Sequence, residues 1–106
     1  MCADISNFPS LVNADLSGAT GSVVATDCSK LETLVWSKDV TYIEPSAFKN
    51  CTSLKEIELV SGLQVIGANA FEGCTSLEKM IIPSSVTSIG DNILLGCVNV
   101  SEVALP

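Results

Sequence analysis

Four cysteines recur at a constant spacing and are the residues of this sequence that most invite a chemical interpretation. Cys28, Cys51, Cys74 and Cys97 follow one another at intervals of 23 residues. A zinc site needs ligands that converge on one ion, with Zn–S distances of about 2.3 Å, and usually takes them from closely spaced pairs. Cysteines that occur once per structural repeat lie in a line instead, so the spacing argues against a metal site.

Disulfide bonding and nucleophilic catalysis are the two other uses of such a series. Neighbours on stacked repeats would lie about 4.8 Å apart, but parallel side chains keep their Cβ atoms farther apart than the preferred ~3.8 Å. A cysteine nucleophile needs an activating base, and the chain has no His. We therefore expect the four thiols to fill a core as small apolar groups. Cys2 lies outside the series and would be the lipid-bearing residue if a natural precursor carried a lipoprotein signal.

Glu56 and Glu58 form a pair of carboxylates two residues apart. Paired carboxylates about 5–9 Å apart perform acid–base catalysis in glycosidases. We expect this pair on the exposed side of one strand, where a smooth sheet offers no deep pocket to shift either pKa. The prediction is therefore no enzymatic activity, no catalytic residue, no metal and no cofactor.

The composition describes an acidic chain with a large apolar fraction. Of its 106 residues 47% are hydrophobic, the net charge is −7, and all five positive residues are Lys. The absence of Arg and of any basic patch argues against nucleic-acid binding. The longest apolar stretches are about half a dozen residues, short of the ~20 that a membrane helix needs. No secretory signal opens the chain as given.

The cysteines belong to a longer repeat, as a comparison of "AFKNCTSLKEIEL" (47–59) with "AFEGCTSLEKMII" (70–82) shows. Apolar residues recur at fixed distances after each Cys; in the repeat that begins at Cys28 they are Leu31, Leu34, Trp36, Val40, Ile43, Ala47 and Phe48. One repeat cannot bury these side chains alone, whereas stacked repeats share a continuous core. We expect Trp36, which replaces an aliphatic residue, to plug that core.

The alternation from Leu34 to Trp36 predicts a strand whose equivalents in successive repeats form a continuous parallel sheet with a spacing of about 4.8 Å. The segments "SAFKNC" and "ANAFEGC" predict short helical turns. Gly73 and Gly96 are expected to relieve a tight backbone just before Cys.

At this level of detail the sequence resembles the BspA-like leucine-rich repeat family. The segment "AFEGCTSLEKMIIPSSVTSIGDN" is similar to the family pattern C-x-x-L-x-x-I-x-L-P-x-x-L-x-x-I-G-x-x-A-F, and the match runs from Cys28 to Pro106. The resemblance implies a right-handed solenoid of short parallel strands. It also implies an extracellular or cell-surface location, because such repeats serve adhesion and protein binding on mucosal bacteria and some parasitic protists.

We predict a single domain, 1–106, with a degenerate capping coil 1–27, repeats 28–50, 51–73 and 74–96, and a partial repeat 97–106. The first coil is short, because Leu11 precedes Leu31 by only 20 residues, and it lacks the Ala-Phe pair. Degenerate end repeats are typical caps. Open ends would expose apolar edges through which copies could pair.

The function that these features favour is a non-enzymatic module for protein binding or adhesion, with a host surface or matrix protein as partner. The alternatives are a rigid spacer that displays another domain and a carbohydrate-binding surface. The candidate binding residues are the outward positions of the predicted sheet, namely Thr33, Val35, Glu56, Glu58, Lys79, Ile81 and Glu102. Asn50 and Asn99 begin triplets with the form of glycosylation sequons.

Overall fold

The computed structural model describes residues 3–5 and 10–104, so two positions considered above, Cys2 and Pro106, lie outside the described residues. Ten short strands are separated by turns. In chain order they are β1 (Ala3–Asp4), β2 (Asn13–Asp15), β3 (Gly21–Val24), β4 (Thr33–Val35), β5 (Val40–Ile43), β6 (Glu56–Glu58), β7 (Val65–Ile66), β8 (Lys79–Ile81), β9 (Ser88–Ile89) and β10 (Glu102–Ala104).

The odd-numbered strands form one parallel sheet in the order β1-β3-β5-β7-β9, which we call the odd-strand sheet. Val23 pairs with Ile43, Ile43 with Ile66, and Ile66 with Ile89. Each coil of the chain therefore adds one strand to this sheet, directly beside the strand of the preceding coil. The predicted solenoid of stacked parallel strands is confirmed.

The even-numbered strands lie on a second side of the solenoid, which we call the even-strand face. They form two sheets, one of three strands in the order β6-β8-β10 and one of two strands, β2 and β4. In the three-stranded sheet Ile57 pairs with Met80, and Met80 with Val103. The 23-residue period of the sequence thus becomes the register of these strands.

The core between the two sides is built from the apolar positions of the repeat. Leu31, Leu54 and Leu77 are buried above one another, and so are Val40 and Leu63. The rings of Phe48 and Phe71 stack with a centroid distance of 5.1 Å and an interplanar angle of 3°. Successive repeats therefore place like side chains in contact, as the periodicity predicts.

The corners that follow the odd strands are hydrogen-bonded turns, whereas the sequence predicted short helical turns there. In the corner around residues 44–51, Ala47 N–H donates to Glu44 O (3.0 Å) and Lys49 N–H to Ser46 O (3.1 Å). The intervening Phe48 N–H donates to Ala70 O of the next coil (2.7 Å). Because alternate amides bind the neighbouring coil, no helix continues through the corner.

The corner backbone enters the left-handed region just before each Cys of the series. Asp27, Asn50, Gly73 and Gly96 have φ values of 62°, 63°, 75° and 78°. This confirms the tight backbone expected at Gly73 and Gly96. Asn and Asp tolerate this conformation better than other non-glycine residues, which explains their use at the equivalent positions.

A second left-handed position, which the sequence analysis missed, lies four residues earlier in each full repeat. Ser46, Asn69 and Asn92 have φ values of 60°, 60° and 58°. The two asparagines were its signal in the sequence.

Candidate binding face and groove

The even-strand face presents every predicted binding residue outward because its strands alternate inward and outward side chains. In β6, Ile57 is buried while Glu56 and Glu58 are exposed. In β8, Met80 is buried between the half-buried Lys79 and Ile81. The remaining predicted residues, Thr33, Val35 and Glu102, are exposed on β4 and β10.

The three-stranded sheet brings five of the seven residues together in two rows. Glu56, Lys79 and Glu102 are register partners across β6, β8 and β10, and Lys79 Nζ lies 3.9 Å from Glu102 Oε2. Glu58 and Ile81 form the second row. The resulting surface alternates carboxylates with one amine and one aliphatic side chain. Exposed ion pairs of this kind contribute only about 0–1 kcal/mol to stability, so the charges remain available to a partner.

Thr33 and Val35 belong to a different sheet and lie apart from the other five. The Thr33 hydroxyl forms a short hydrogen bond with Asn13 Oδ1 on β2, and the Val35 side chain is 57% exposed. All Cα atoms of β4 lie more than 8 Å from those of β6, whereas paired strands are about 4.8 Å apart. The predicted continuous sheet is therefore wrong at this one boundary.

The break follows from a change in coil length. Val23 pairs with Ile43, 20 residues later, whereas Asn50 Nδ2 donates to Asp27 Oδ1, 23 residues earlier. The three additional residues of the second coil therefore lie between Ile43 and Asn50, in the segment that contains Phe48.

The first coil has no phenylalanine at that corner, and the Trp36 side chain lies beside Phe48 of the second coil. The Trp36 ring contacts Phe48 edge to face, with a centroid distance of 6.0 Å, and the tryptophan side chain is only half-buried. The coils that carry β4 and β6 stay bonded through β5 and β7, so the opening between them lies on the even-strand face alone. Trp36 packs against the core but is not enclosed by it, and it lines a recess beside the opening.

The opening between β4 and β6 is a groove of about 600 Å³, continuous with the face, where a smooth sheet was expected. Its lining contains four glutamates and two lysines, namely Glu32, Glu56, Glu58, Glu78, Lys55 and Lys79. A smaller recess of about 220 Å³ is lined by Leu34, Trp36 and Leu54 together with β6. The combination of carboxylates, strand edges and apolar side chains suits a polypeptide ligand.

The groove residues that the sequence analysis missed are Glu32, Leu34, Ser53, Lys55 and Glu78. Their only signal in the sequence was the shortened spacing of the first coil, which changes the circumference without marking any one side chain.

Among residues 3–5 and 10–104, no group of three or more His, Cys, Asp or Glu side chains is arranged to hold a metal ion.

The four cysteines of the series lie inside the stack, where their thiols bind the preceding coil. Sγ of Cys51 donates to Ala25 O (3.2 Å), and Sγ of Cys74 donates to Phe48 O (3.0 Å). The hydrogen bond with the Cys74 thiol, reinforced by burial, raises the pKa of Cys51. Burial raises the pKa of the Cys97 thiol to about 11. The raised pKa values favour the neutral form of the Cys51 and Cys97 thiols, whereas the hydrogen bond with the Cys51 thiol lowers the pKa of Cys74.

The two asparagines of the sequon-like triplets use their amides within the solenoid. Asn50 Nδ2 donates to Asp27 Oδ1 at 2.9 Å, and Asn99 Nδ2 donates to Thr75 O at 2.6 Å. Both amides therefore tie one coil to the preceding one.

The described part of the chain contains no helix with the length and hydrophobicity needed to cross a bilayer.

A stack of parallel strands with a repeated leucine core and an exposed sheet face defines a leucine-rich-repeat solenoid scaffold. The chain belongs to the BspA-type leucine-rich repeat family, because the family model described as "BspA type Leucine rich repeat region" matches residues 21–106 in six copies. Repeats of this kind are commonly non-enzymatic scaffolds for protein interaction. No curated protein matches the chain.

Three solved structures are similar to the chain. The T. pallidum leucine-rich repeat protein is 29% identical with a TM-score of 0.92, over 100% of this chain and 52% of that protein. A leucine-rich repeat protein from Bacteroides ovatus is 33% identical with a TM-score of 0.72, over 78% of this chain and 24% of the other. A leucine-rich cell surface protein from Faecalibacterium prausnitzii is 27% identical with a TM-score of 0.73, over 97% and 31%. The chain thus spans about half of the first protein and a third or less of the others.

Proposed function

We propose that this chain is a protein-binding module of a cell-surface protein and that it acts in adhesion, with the even-strand face as its binding surface. The observation that carries the proposal is the convergence of Glu56, Glu58, Lys79, Ile81 and Glu102 in one exposed sheet. The family supports a scaffold for protein interaction, and one similar solved structure is that of a leucine-rich cell surface protein. A host surface or matrix protein would be the partner.

The composition of the face favours binding over a purely structural spacer. A spacer needs only solvated side chains, yet Val35 is 57% exposed and Ile81 lies beside Glu58 on the outer side of the sheet. Apolar side chains surrounded by polar ones are typical of protein interaction surfaces. Thr33, Val35 and the five residues of the three-stranded sheet are the proposed contacts.

The test compares two triple variants that remove the same charge from different sides of the solenoid. One carries Glu56→Gln, Glu58→Gln and Glu102→Gln on the even-strand face. The control carries Asp39→Asn, Glu44→Gln and Asp91→Asn in the turns that flank the odd-strand sheet. Each protein is measured by biolayer interferometry against purified host surface and matrix proteins and on a glycan array.

We expect the wild type and the control to bind one or more proteins of the panel and the face variant to bind at least 10-fold more weakly. Equal loss in both triple variants would show a nonspecific charge effect and would contradict the assignment of the face. Binding to glycans alone would support the carbohydrate alternative. Absence of any partner would favour a spacer. Both outcomes contradict the proposal.

A further inference from the structure

We propose that the groove between β4 and β6 takes up an extended, lysine-bearing peptide segment of a partner protein, which inserts as an additional strand. The inference rests on the protein-binding function proposed above and specifies both the place and the chemistry of the partner. Three observations carry it: two strand edges that face each other, a separation that excludes their direct pairing, and an acidic lining.

The two walls of the groove are strand edges. Elsewhere on the even-strand face neighbouring coils are joined by backbone bonds, such as Glu78 N–H to Lys55 O (2.7 Å) and Glu32 N–H to Val12 O (2.8 Å). No backbone hydrogen bond joins β4 to β6 in the part of the chain that the structure describes. Edges with unpaired donors and acceptors are templates for an incoming strand, a recurrent mode of peptide recognition.

The edge that β6 offers can be assigned residue by residue. Lys55 O accepts from Lys79 N–H (3.4 Å), and Leu59 N–H donates to Ile81 O (3.0 Å), so residues 55, 57 and 59 direct their backbone groups to β8. Backbone groups of alternate residues point to opposite sides of a strand. Glu56 and Glu58 therefore direct their N–H and C=O groups into the groove.

The separation of the walls excludes direct pairing of β4 with β6 and leaves space between them. A strand that pairs with both walls needs them about 9.6 Å apart, twice the spacing of paired strands. The Cα atoms of β4 and β6 are more than 8 Å apart, and the groove holds about 600 Å³. The Trp36 ring, which contacts Phe48 edge to face, lines the recess that adjoins the groove.

The charge of the lining selects a cationic segment. Four carboxylates face two amines, and one of these, Lys79, is already 3.9 Å from Glu102. A peptide with lysines on alternate positions would place its ammonium groups among the glutamates. Its intervening aliphatic side chains would point towards Leu34 and Trp36 in the adjoining recess. An acidic peptide would be repelled by the same carboxylates.

The probe is a capped seven-residue peptide that alternates Lys and Val. Trp36 is the single Trp of the chain and lines the recess, so its intrinsic fluorescence reports occupancy of the groove without a label. The matched variants are Glu58→Ala and Glu58→Pro, which remove the same charge, while only proline also removes the N–H that faces the groove. Proline is tolerated on an edge strand when its missing N–H faces outward.

We expect Glu58→Ala to weaken binding of the probe 2- to 5-fold and Glu58→Pro to weaken it at least 10-fold further. A probe N-methylated at alternate amides should not bind the wild type, which keeps the test valid if circular dichroism shows that Glu58→Pro is unfolded. Equal affinities of the two Glu58 variants, or retained binding of the N-methylated probe, would show adsorption by charge alone and overturn the inference.

Failure of this inference is distinguishable from failure of the proposed function. If the probe does not bind while a protein partner still depends on the charges of the even-strand face, the groove assignment is wrong and the binding function stands. If light scattering shows that the free protein self-associates and the probe dissolves the assembly, the occupant is a second copy of the chain, which also overturns the proposal.

Discussion

Each cysteine of the series connects its coil to the preceding coil through its thiol. The Cys97 thiol donates to Phe71 O at 3.0 Å, which repeats the contact of Cys74 with Phe48 O one coil earlier. Each thiol thus fills a small space and supplies a weak donor to a corner carbonyl of the preceding coil. Ionisation of a buried thiol that donates a hydrogen bond removes that bond and places a charge away from water, so it costs more free energy than ionisation of a thiol in water.

Alkylation of Cys97 should therefore be slow at ordinary pH. With a pKa of about 11, roughly one thiol in 1,000 is ionised at pH 8, against about one in four for a thiol of pKa ~8.5. We expect iodoacetamide to modify Cys97 about 100-fold more slowly in the folded protein than in urea, and the rate to rise about 10-fold per pH unit between pH 7.5 and 9.5. Mass spectrometry of the alkylated peptides measures both rates. A folded rate equal to that in urea would contradict the raised pKa.

Successive coils are joined by a close contact between their backbones at the ends of β7 and β9. Gly67 N–H donates to Ile43 O at 2.8 Å, and Gly90 N–H donates to Ile66 O at 2.7 Å. A Cβ atom on Gly67 would lie 2.5 Å from Pro45 N and 2.8 Å from Ile43 O. Because these are backbone atoms, the preceding coil would have to move as a whole.

Substitution of Gly67 tests this contact. We expect Gly67→Ala to lower the free energy of unfolding by about 1–3 kcal/mol, the usual cost of forcing an additional carbon into a packed site. Urea denaturation followed by circular dichroism measures the change. The matched control is Gly18→Ala, since a Cβ there meets no atom within 4 Å, and its effect should stay within about 0.5 kcal/mol. Equal effects of the two substitutions would argue against close packing of the coils.

At the scale of the whole molecule, the solenoid is continuous on one side and divided on the other. The odd-strand sheet runs unbroken from β1 to β9, while the even-strand face separates between β4 and β6. The protein is therefore one stack with a lateral opening, which lies where a 20-residue offset between coils changes to one of 23.

Hydrogen exchange should reveal that opening in the free protein. Leu59 N–H is bonded to Ile81 O, whereas Glu58 N–H faces the groove, so two adjacent amides should differ in protection. We expect Glu58 to exchange at least 10-fold faster than Leu59 after correction for intrinsic rates, as followed by NMR in deuterated buffer. Similar protection of the two amides would indicate that β4 and β6 pair in solution.

The sequence by itself determined the solenoid, its core and the outward positions of its strands. Leu54, Ile57 and Phe71 could be placed inside, and Glu56 and Glu58 outside, because each position depends only on local alternation and on a period that recurs. The left-handed backbone at Gly73 followed from the same recurrence. Such features are repeated in every coil and can be recognised by comparing one repeat with the next.

Only the tertiary structure decided how the coils fit together. The groove, the conformation of the corners and the thiol hydrogen bonds all depend on contacts between residues about 20 to 26 positions apart, such as Cys51 with Ala25. The sequence does not show how a shorter coil meets a longer one, because the difference in circumference can be absorbed on any side. Here the backbone bonds between β5 and β7 hold one side closed, so the other side opens beside Trp36.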